Sequence, residues 1–287
     1  MKKTAGILTA VILAIAFLAP SAWSKAEWKV YQTVKPEYPP IDLLVSEHRE
    51  WIYVLDDHGW ISIYASNGQL RDKIQVGQDI QRIQSGPNDN VLFLLSRTKG
   101  TIQIITIDVI EDIGIEGSPV KGRPDAPVSI VVFSDFQCPY CARLVPVMEQ
   151  VFQKHQKDVN IVFKNFPIQG HAFAIKAAQA ALAADSQGKF WEFHDLLFKN
   201  YNKLSDVKIE EFRSQLGLDA EKFKQRMNDP QVLAKINSDA DLGRKAGVRG
   251  TPTIFINGRL LRDKSLNGIN SAVDEALRQT QVTQVKP

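Results

Sequence analysis

Only two of the 287 residues are cysteine. That scarcity excludes a scaffold stapled by several disulfides, which would spread pairs along the chain. An excess of one charge is lacking too, since 35 basic and 32 acidic residues leave a formal net charge of +3. So small a balance gives no electrostatic case for nucleic acid or an anionic membrane as partner. Long apolar runs are confined to Ala5–Leu18, which is short for a bilayer span. Lys2 and Lys3 precede that run, and Pro20 to Ser24 succeed it with small and polar residues. This is the layout of an export signal, with Ala22 and Ser24 placed for cleavage before Lys25. Residues 1–24 are expected to be removed, the alternative being retention as an N-terminal anchor. The chain from Lys25 onward is long enough for two domains.

Residues 25–112 read as β. Trp51–Leu55 and Trp60–Tyr64 flank Asp56-Asp57-His58-Gly59, a hairpin signal, and Asn67-Gly68 marks the next turn before Lys73–Val76. The pattern recurs in Val91–Leu95, a turn at Lys99-Gly100, and Thr101–Ile107. Ile52–Leu55 aligns with Leu92–Leu95 at an offset of 40, and Gly59 with Gly100 at 41. A β-repeat of about forty residues is the size of a propeller blade, and the order of turns resembles blades of the NHL-like group. There is material for two blades, whereas propellers close with about four to eight. A small β-rich domain with edges to cover is expected, able to serve in self-association or substrate docking.

Residues 113–127, with Gly114, Gly117, Pro119, Gly122, Pro124 and Pro127, read as a linker. From 128 to 282 strands alternate with helices, and 283–287 form a tail. Val128–Phe133 leads into Cys138-Pro139-Tyr140-Cys141 and a helix through about Lys157 with Leu144, Val147, Met148, Val151 and Phe152 inward. Val159–Phe163 is the next strand, and a helical stretch runs from about His171 to Ala246. Within it, Asp229-Pro230 has the N-cap and first-turn signature of the last helix. Thr253–Ile256, the Asn257-Gly258 turn, Leu260-Leu261 and a helix around Ile269–Arg278 close the chain. The order strand, helix, strand, helical insert, hairpin, helix implies an α/β, thioredoxin-like fold with an α-helical insertion, preceded by the β-rich domain.

Both cysteines lie in one Cys-x-x-Cys, which leaves three readings: a working dithiol, part of a metal site, or a structural clip. Zinc commonly takes four ligands, and the five histidines show no close His pair to complete such a set, so no resident metal is expected. Two-coordinate Cu(I) on the reduced pair stays open as a secondary role. A four-residue clip constrains little chain. A dithiol, by contrast, gains from this position. Unpaired N–H groups and the positive end of the helix dipole face Cys138 and favour its thiolate. Pro139 suits the first turn because its missing N–H is not needed there. Cys138 is thus the expected nucleophile, the more exposed of the two, and Cys141, one turn on, the resolving thiol. Downstream, Thr251-Pro252 before the apolar Thr253–Ile256 is a natural place for a cis peptide, exposing the Thr251 backbone to an extended substrate. Thr251, Pro252, Pro139 and Tyr140 are the residues expected to face substrate. Asp135, Lys164 and Arg249 are candidate proton or charge modulators of the pair. His171 and His194, with Phe190, Trp191 and Phe193, read as packing or surface residues.

Gly117-Ser118-Pro119, Asp125-Ala126-Pro127-Val128, Phe133-Ser134-Asp135-Phe136, the Cys-x-x-Cys and Gly250-Thr251-Pro252 together form a specific string. On these motifs, residues 116–282 resemble the DsbA-like thiol:disulfide oxidoreductases of bacterial envelopes. The resemblance implies dithiol–disulfide exchange in the periplasm or another extracytoplasmic space, with no cofactor beyond a Cys138–Cys141 disulfide. Its implied partners are exported proteins with free cysteines or disulfides and a membrane redox partner for recycling. Oxidation is the favoured direction. The alternatives are an isomerase or reductase that oligomerises through residues 25–112, and a non-enzymatic binding or copper-handling protein. One position departs from the family. Many members carry a glutamate six residues before the first cysteine, and here that position is Val132.

Overall fold

The computed structural model describes residues 26–47, 51–88 and 90–285. The export-signal reading of residues 1–24 lies outside them. Met1–Lys35 and Pro36–Pro287 are separate units, and residues 26–35 of the first have no regular secondary structure.

In the second unit, β1 (Pro40–Val45), β2 (Trp51–Asp56), β3 (Trp60–Ala65) and β4 (Leu70–Gln75) form an antiparallel sheet in chain order. A three-stranded sheet of β5 (Arg82–Ser85), β6 (Val91–Ser96) and β7 (Thr101–Thr106) comes next. The forty-residue offset maps β2 onto β6 and β3 onto β7, and the second copy is one strand shorter. Alternation drives both sheets: Tyr53, Leu55, Ile61, Ile63, Leu92 and Leu94 point into one shared core. Two strands escaped the sequence reading, β1 and β5. β5 is four residues long and mostly polar, and β1 opens on Pro40 and carries Asp42, residues depleted in strands.

The larger sheet has the order β12-β11-β9-β10-β8. Its centre is β9 (Val128–Ser134), parallel to β10 (Val159–Asn165) and antiparallel to β11 (Thr253–Ile256). Both faces of β9 are covered, which is why it reads as a nearly continuous apolar run. α1 (Pro139–His155) and α7 (Leu266–Val285) pack on the face carrying Val128, Ile130 and Val132. α6 (Pro230–Lys245) packs on the face carrying Val131 and Phe133. The insert between β10 and α6 consists of α2 (Ala174–Asp185), α3 (Phe190–Lys199), α4 (Asp206–Gln215) and α5 (Ala220–Met227). Asp229 caps α6 as expected, accepting from the Gln231 N–H at 2.8 Å.

Residues 113–127 differ from a free linker. Within them β8 (Val120–Lys121) pairs antiparallel with Ile161 and Val162 at the sheet edge, and Ile113 is buried. The β-rich part is also fastened to the larger sheet. Ile110 bridges to Arg259 on β12 (Arg259–Leu261), and the Glu111 N–H donates to the Gly258 carbonyl at 2.9 Å. Gly258 has φ +79° there, and an added Cβ would stand 2.4 Å from the Glu111 carbonyl oxygen. Glycine is required both for the turn and for this close approach. The closing helix runs on to Val285, into the segment read as a tail.

The α6 face holds a buried ionic cluster. Asp239 Oδ1 lies 2.7 Å from Lys235 Nζ and 3.6 Å from Lys164 Nζ, and Asp239 Oδ2 accepts from the Asn165 backbone and side chain. Burial lowers the Lys164 pKa against the opposing pull of Asp239. Removing one partner of such a cluster strands a charge, so Asp239→Ala is expected to cost about 3–5 kcal/mol in urea unfolding. Adding Lys164→Met should recover a large part of that loss. A cost below about 1 kcal/mol would show that the cluster is solvated rather than buried.

Candidate active site

Cys138 is the N-cap of α1, with φ −75° and ψ 121°, and Pro139 takes the first helical position. The Cys138 N–H donates to the Asp135 carbonyl at 3.1 Å, which ties the end of β9 to the helix start. β11 lies against β9 with Thr253 opposite Phe133. That register brings the cis Thr251-Pro252 peptide over the helix start, and Cys138 Sγ donates to the Thr251 carbonyl at 3.5 Å. Both thiols are unbridged in this structure. Cys138 is 5% and Cys141 1% exposed, so the expected order holds while both are buried. The exposed residue of the motif is Tyr140, whose ring carries the Arg143 guanidinium 4.5 Å from its centroid.

Tyr140, Leu144, Val147, Thr251 and Pro252 line one open groove of about 450 Å³. Three of the four residues expected to face substrate thus meet there. Pro139 instead serves as the first residue of the helix.

The candidate modulators fare differently. The Asp135 carboxylate is consumed by structure: it accepts from the Gln137 and Ile168 N–H groups, both at 2.7 Å, and lies 2.8 Å from His171 Nδ1. Asp135 reaches the pair through its backbone. Lys164 is paired in register with Phe133 and therefore belongs to the α6 face, away from α1. Its charge is spent on Asp239. Arg249 donates from Nη2 to the Ser66 hydroxyl on the β3–β4 turn, so its engaged contact is with the β-rich part.

Beneath Cys141 a cavity of about 50 Å³ is walled by Val132, Ser134, Phe163 and His194, with Lys121, Glu149 and Asp195 also lining it. Such a space holds a few water molecules. Burial pushes the Cys141 thiol up to about 12, with hydrogen bonding from Ser134 the largest opposing effect. Lys121 and Glu149 form an ion pair in the wall. His194 is buried among Phe198 and Trp191, with ring centroids 4.7 and 5.0 Å away, and sits 2.8 Å from Asp195 Oδ1. Burial lowers its pKa, and Asp195 opposes that shift. Lys121, Glu149 and Asp195 were missed in the sequence, and His194 was read there as a packing or surface residue. Glu149 was recoverable, because positions 141, 145 and 149 share one face of α1.

The combination of a Cys-Pro-Tyr-Cys helix start with a Thr-cis-Pro loop, on this sheet and with this insert, defines a DsbA-like thioredoxin fold. A family model described as thioredoxin matches residues 115–275, over half of the chain, and the chain belongs to that family. A thioredoxin-like oxidoreductase from Silicibacter pomeroyi is 31% identical with a TM-score of 0.51, covering 57% of this chain and 94% of its own. The thiol-disulfide exchange protein alpha-DsbA2 from Wolbachia pipientis is 28% identical with a TM-score of 0.50, over 56% and 87%. A periplasmic thioredoxin-like protein from Salmonella enterica serovar Typhimurium is 27% identical with a TM-score of 0.50, over 56% and 90%. Among curated relatives, the Na(+)/H(+) antiporter NhaA 3 of Salinispora tropica is 34% identical over 154 residues, 53% of this chain and 24% of that protein. This chain therefore spans about a quarter of that relative's length.

The cavity has two measurable consequences. The fold holds Cys141 as a neutral thiol, so the stability this contributes is complete below about pH 9 and is lost as pH rises towards about 12. Reduced wild type should lose more stability over that interval than Cys141→Ala, measured by urea unfolding; parallel curves would contradict the burial. Val132→Glu would set a carboxylate on the wall shared with Cys141. Decay of a mixed disulfide at Cys138 should then change its pH profile, while Val132→Gln leaves it in place; superimposed profiles for all three proteins would remove Val132 from the chemistry.

Proposed function

We propose that this protein is an extracytoplasmic thiol:disulfide oxidoreductase that donates the Cys138–Cys141 disulfide to exported proteins. The observation that carries this reading is the placement of Cys138 Sγ at the start of α1, 3.5 Å from the Thr251 carbonyl and beside the open groove. A substrate thiolate attacks Cys138 Sγ, forming a mixed disulfide and expelling Cys141 as a thiolate. Burial holds the Cys141 pKa high, so the expelled thiolate takes up a proton. A second substrate thiolate attacks the substrate sulfur of the mixed disulfide and expels Cys138. The substrate leaves oxidised by two electrons, and the protein is left as the dithiol. A membrane redox partner that accepts those two electrons would restore the disulfide. The export-signal pattern of residues 1–24 and the likeness to a periplasmic thioredoxin-like protein support the compartment, and an oxidising compartment suits the donation of a disulfide. Among the described residues no helix is long and apolar enough to cross a membrane. The antiport named in the Salinispora relative is not carried over to this chain.

A second reading has one observation in its favour. Ile102 and Ile104 on β7 are 68% and 69% exposed, an apolar strip that self-association of the β-rich part would cover. An oligomer of that kind, with its dithiol kept reduced, would act as a reductase through the same steps in reverse order, or as an isomerase when another substrate thiolate displaces Cys138 from the mixed disulfide and leaves the dithiol reduced.

Cys141→Ser should accumulate mixed disulfides with unfolded proteins that carry disulfides, the Cys138 thiolate displacing one substrate sulfur as a thiolate, visible as thiol-reducible adducts on a gel. Cys138→Ser should accumulate none. Equal trapping by both variants would contradict the assignment of Cys138 as the attacked sulfur.

A further inference from the structure

Next in sequence to the Thr251-Pro252 loop, the β3–β4 turn meets residues 244–249 across a cleft of about 200 Å³. Four cations line it: Arg71, Arg244, Lys245 and Arg249. Arg71 is paired with Glu111 and also donates to the Lys245 carbonyl at 2.7 Å, while Arg244 is paired with Asp241. Lys245 and Arg249 have no carboxylate partner among the described residues, and both are exposed. The cleft therefore keeps an excess of positive charge on a chain that is otherwise close to neutral.

Resting on the exchange reading above, we propose that this cleft receives an acidic side chain of the polypeptide whose cysteine reacts at Cys138. Arg249 stands two residues before Thr251, so the backbone that would pair with substrate is continuous with the cleft. An extended chain advances about 3.3 Å per residue. A side chain roughly two to four positions from the reacting cysteine would thus reach Arg249. The guanidinium is oriented there by a neutral partner, the Ser66 hydroxyl, which uses one of its five N–H donors. The remaining fork suits a carboxylate, and the Lys245 ammonium adds attraction that salt screens. Charge at the rim of a binding surface acts mainly on encounter rate and salt dependence. This gives the β-rich part a role in recognition: its β3–β4 turn supplies one wall of the cleft and the hydroxyl that holds Arg249.

The test uses the full chain and three dithiol peptides of equal length, with aspartate, asparagine or lysine at the second to fourth positions from the reacting cysteine. The readout is the rate ratio between aspartate and lysine peptides, which cancels any general change in reactivity. At low salt wild type should favour the aspartate peptide by about tenfold, and added salt should shrink the ratio. Lys245→Glu combined with Arg249→Glu should bring it to one or below, and Ser66→Ala should reduce it partway. A wild-type ratio near one overturns the proposal, and so does an unchanged ratio in the double variant. Loss of binding to anionic lipid vesicles in that variant, with the peptide ratio intact, would assign the cleft to another occupant and overturn it equally. Dithiothreitol, which is neutral, separates the two levels: oxidised wild type that does not react with it removes the exchange reading itself, and this one with it.

Discussion

The approach of Cys138 Sγ to the Thr251 carbonyl, at 3.5 Å across 113 residues of sequence, is the contact on which the site depends. Neither partner is placed locally. β9 carries Cys138 to the start of α1, and β11 carries Thr251 to the same point by pairing with β9 in one register. A slip of that register by one residue would turn every β11 side chain to the opposite face and withdraw the loop. The burial of Val131, Phe133 and Phe255 on one face and Ile254 and Ile256 on the other makes such a slip costly. Core packing and active-site geometry are therefore one constraint.

Around that contact the environment of the two sulfurs is asymmetric. Cys138 opens α1, at the unpaired N–H groups of its first turn and beside the groove lined by Tyr140, Thr251 and Pro252. Cys141 faces inward over a small cavity, where burial disfavours its thiolate. Val132 contributes no carboxylate to the wall of that cavity, and the ionisable groups that line it, Lys121, Glu149, His194 and Asp195, come from β8, α1 and α3. The buried ionic cluster of Lys164, Lys235 and Asp239 lies on the other face of the sheet and serves to join α6 to β10.

The fold of the second half was legible because its signals are local: apolar runs for β9, β10 and β11, Asp229-Pro230 for the start of α6, and Asn257-Gly258 for the last turn. The Cys-x-x-Cys and Thr251-Pro252 were legible for the same reason. What sequence spacing could not supply was which face a polar residue occupies and what it meets there. Asp135 is adjacent to the pair in sequence yet gives its carboxylate to Gln137, Ile168 and His171. Lys164 faces α6 because its register partner is Phe133, a fact set by strand pairing. Arg249 is drawn towards Ser66, a residue 183 positions away. The apparent linker became β8 because a two-residue edge strand needs a neighbour more than it needs propensity.

The β-rich part is thus an attached element whose turns reach residues next to the dithiol, and its contribution has to be judged together with the redox site. The central claim is that Cys138 and Cys141 form one reversible two-electron couple. Equilibrating the full chain over a range of reduced-to-oxidised glutathione ratios, with acid quenching and intact-mass readout, tests it most directly. The expected result is a single transition between dithiol and internal disulfide, lost in Cys141→Ser, which should retain glutathione at Cys138. Glutathione held separately on both cysteines, with no internal disulfide at any ratio, would contradict it.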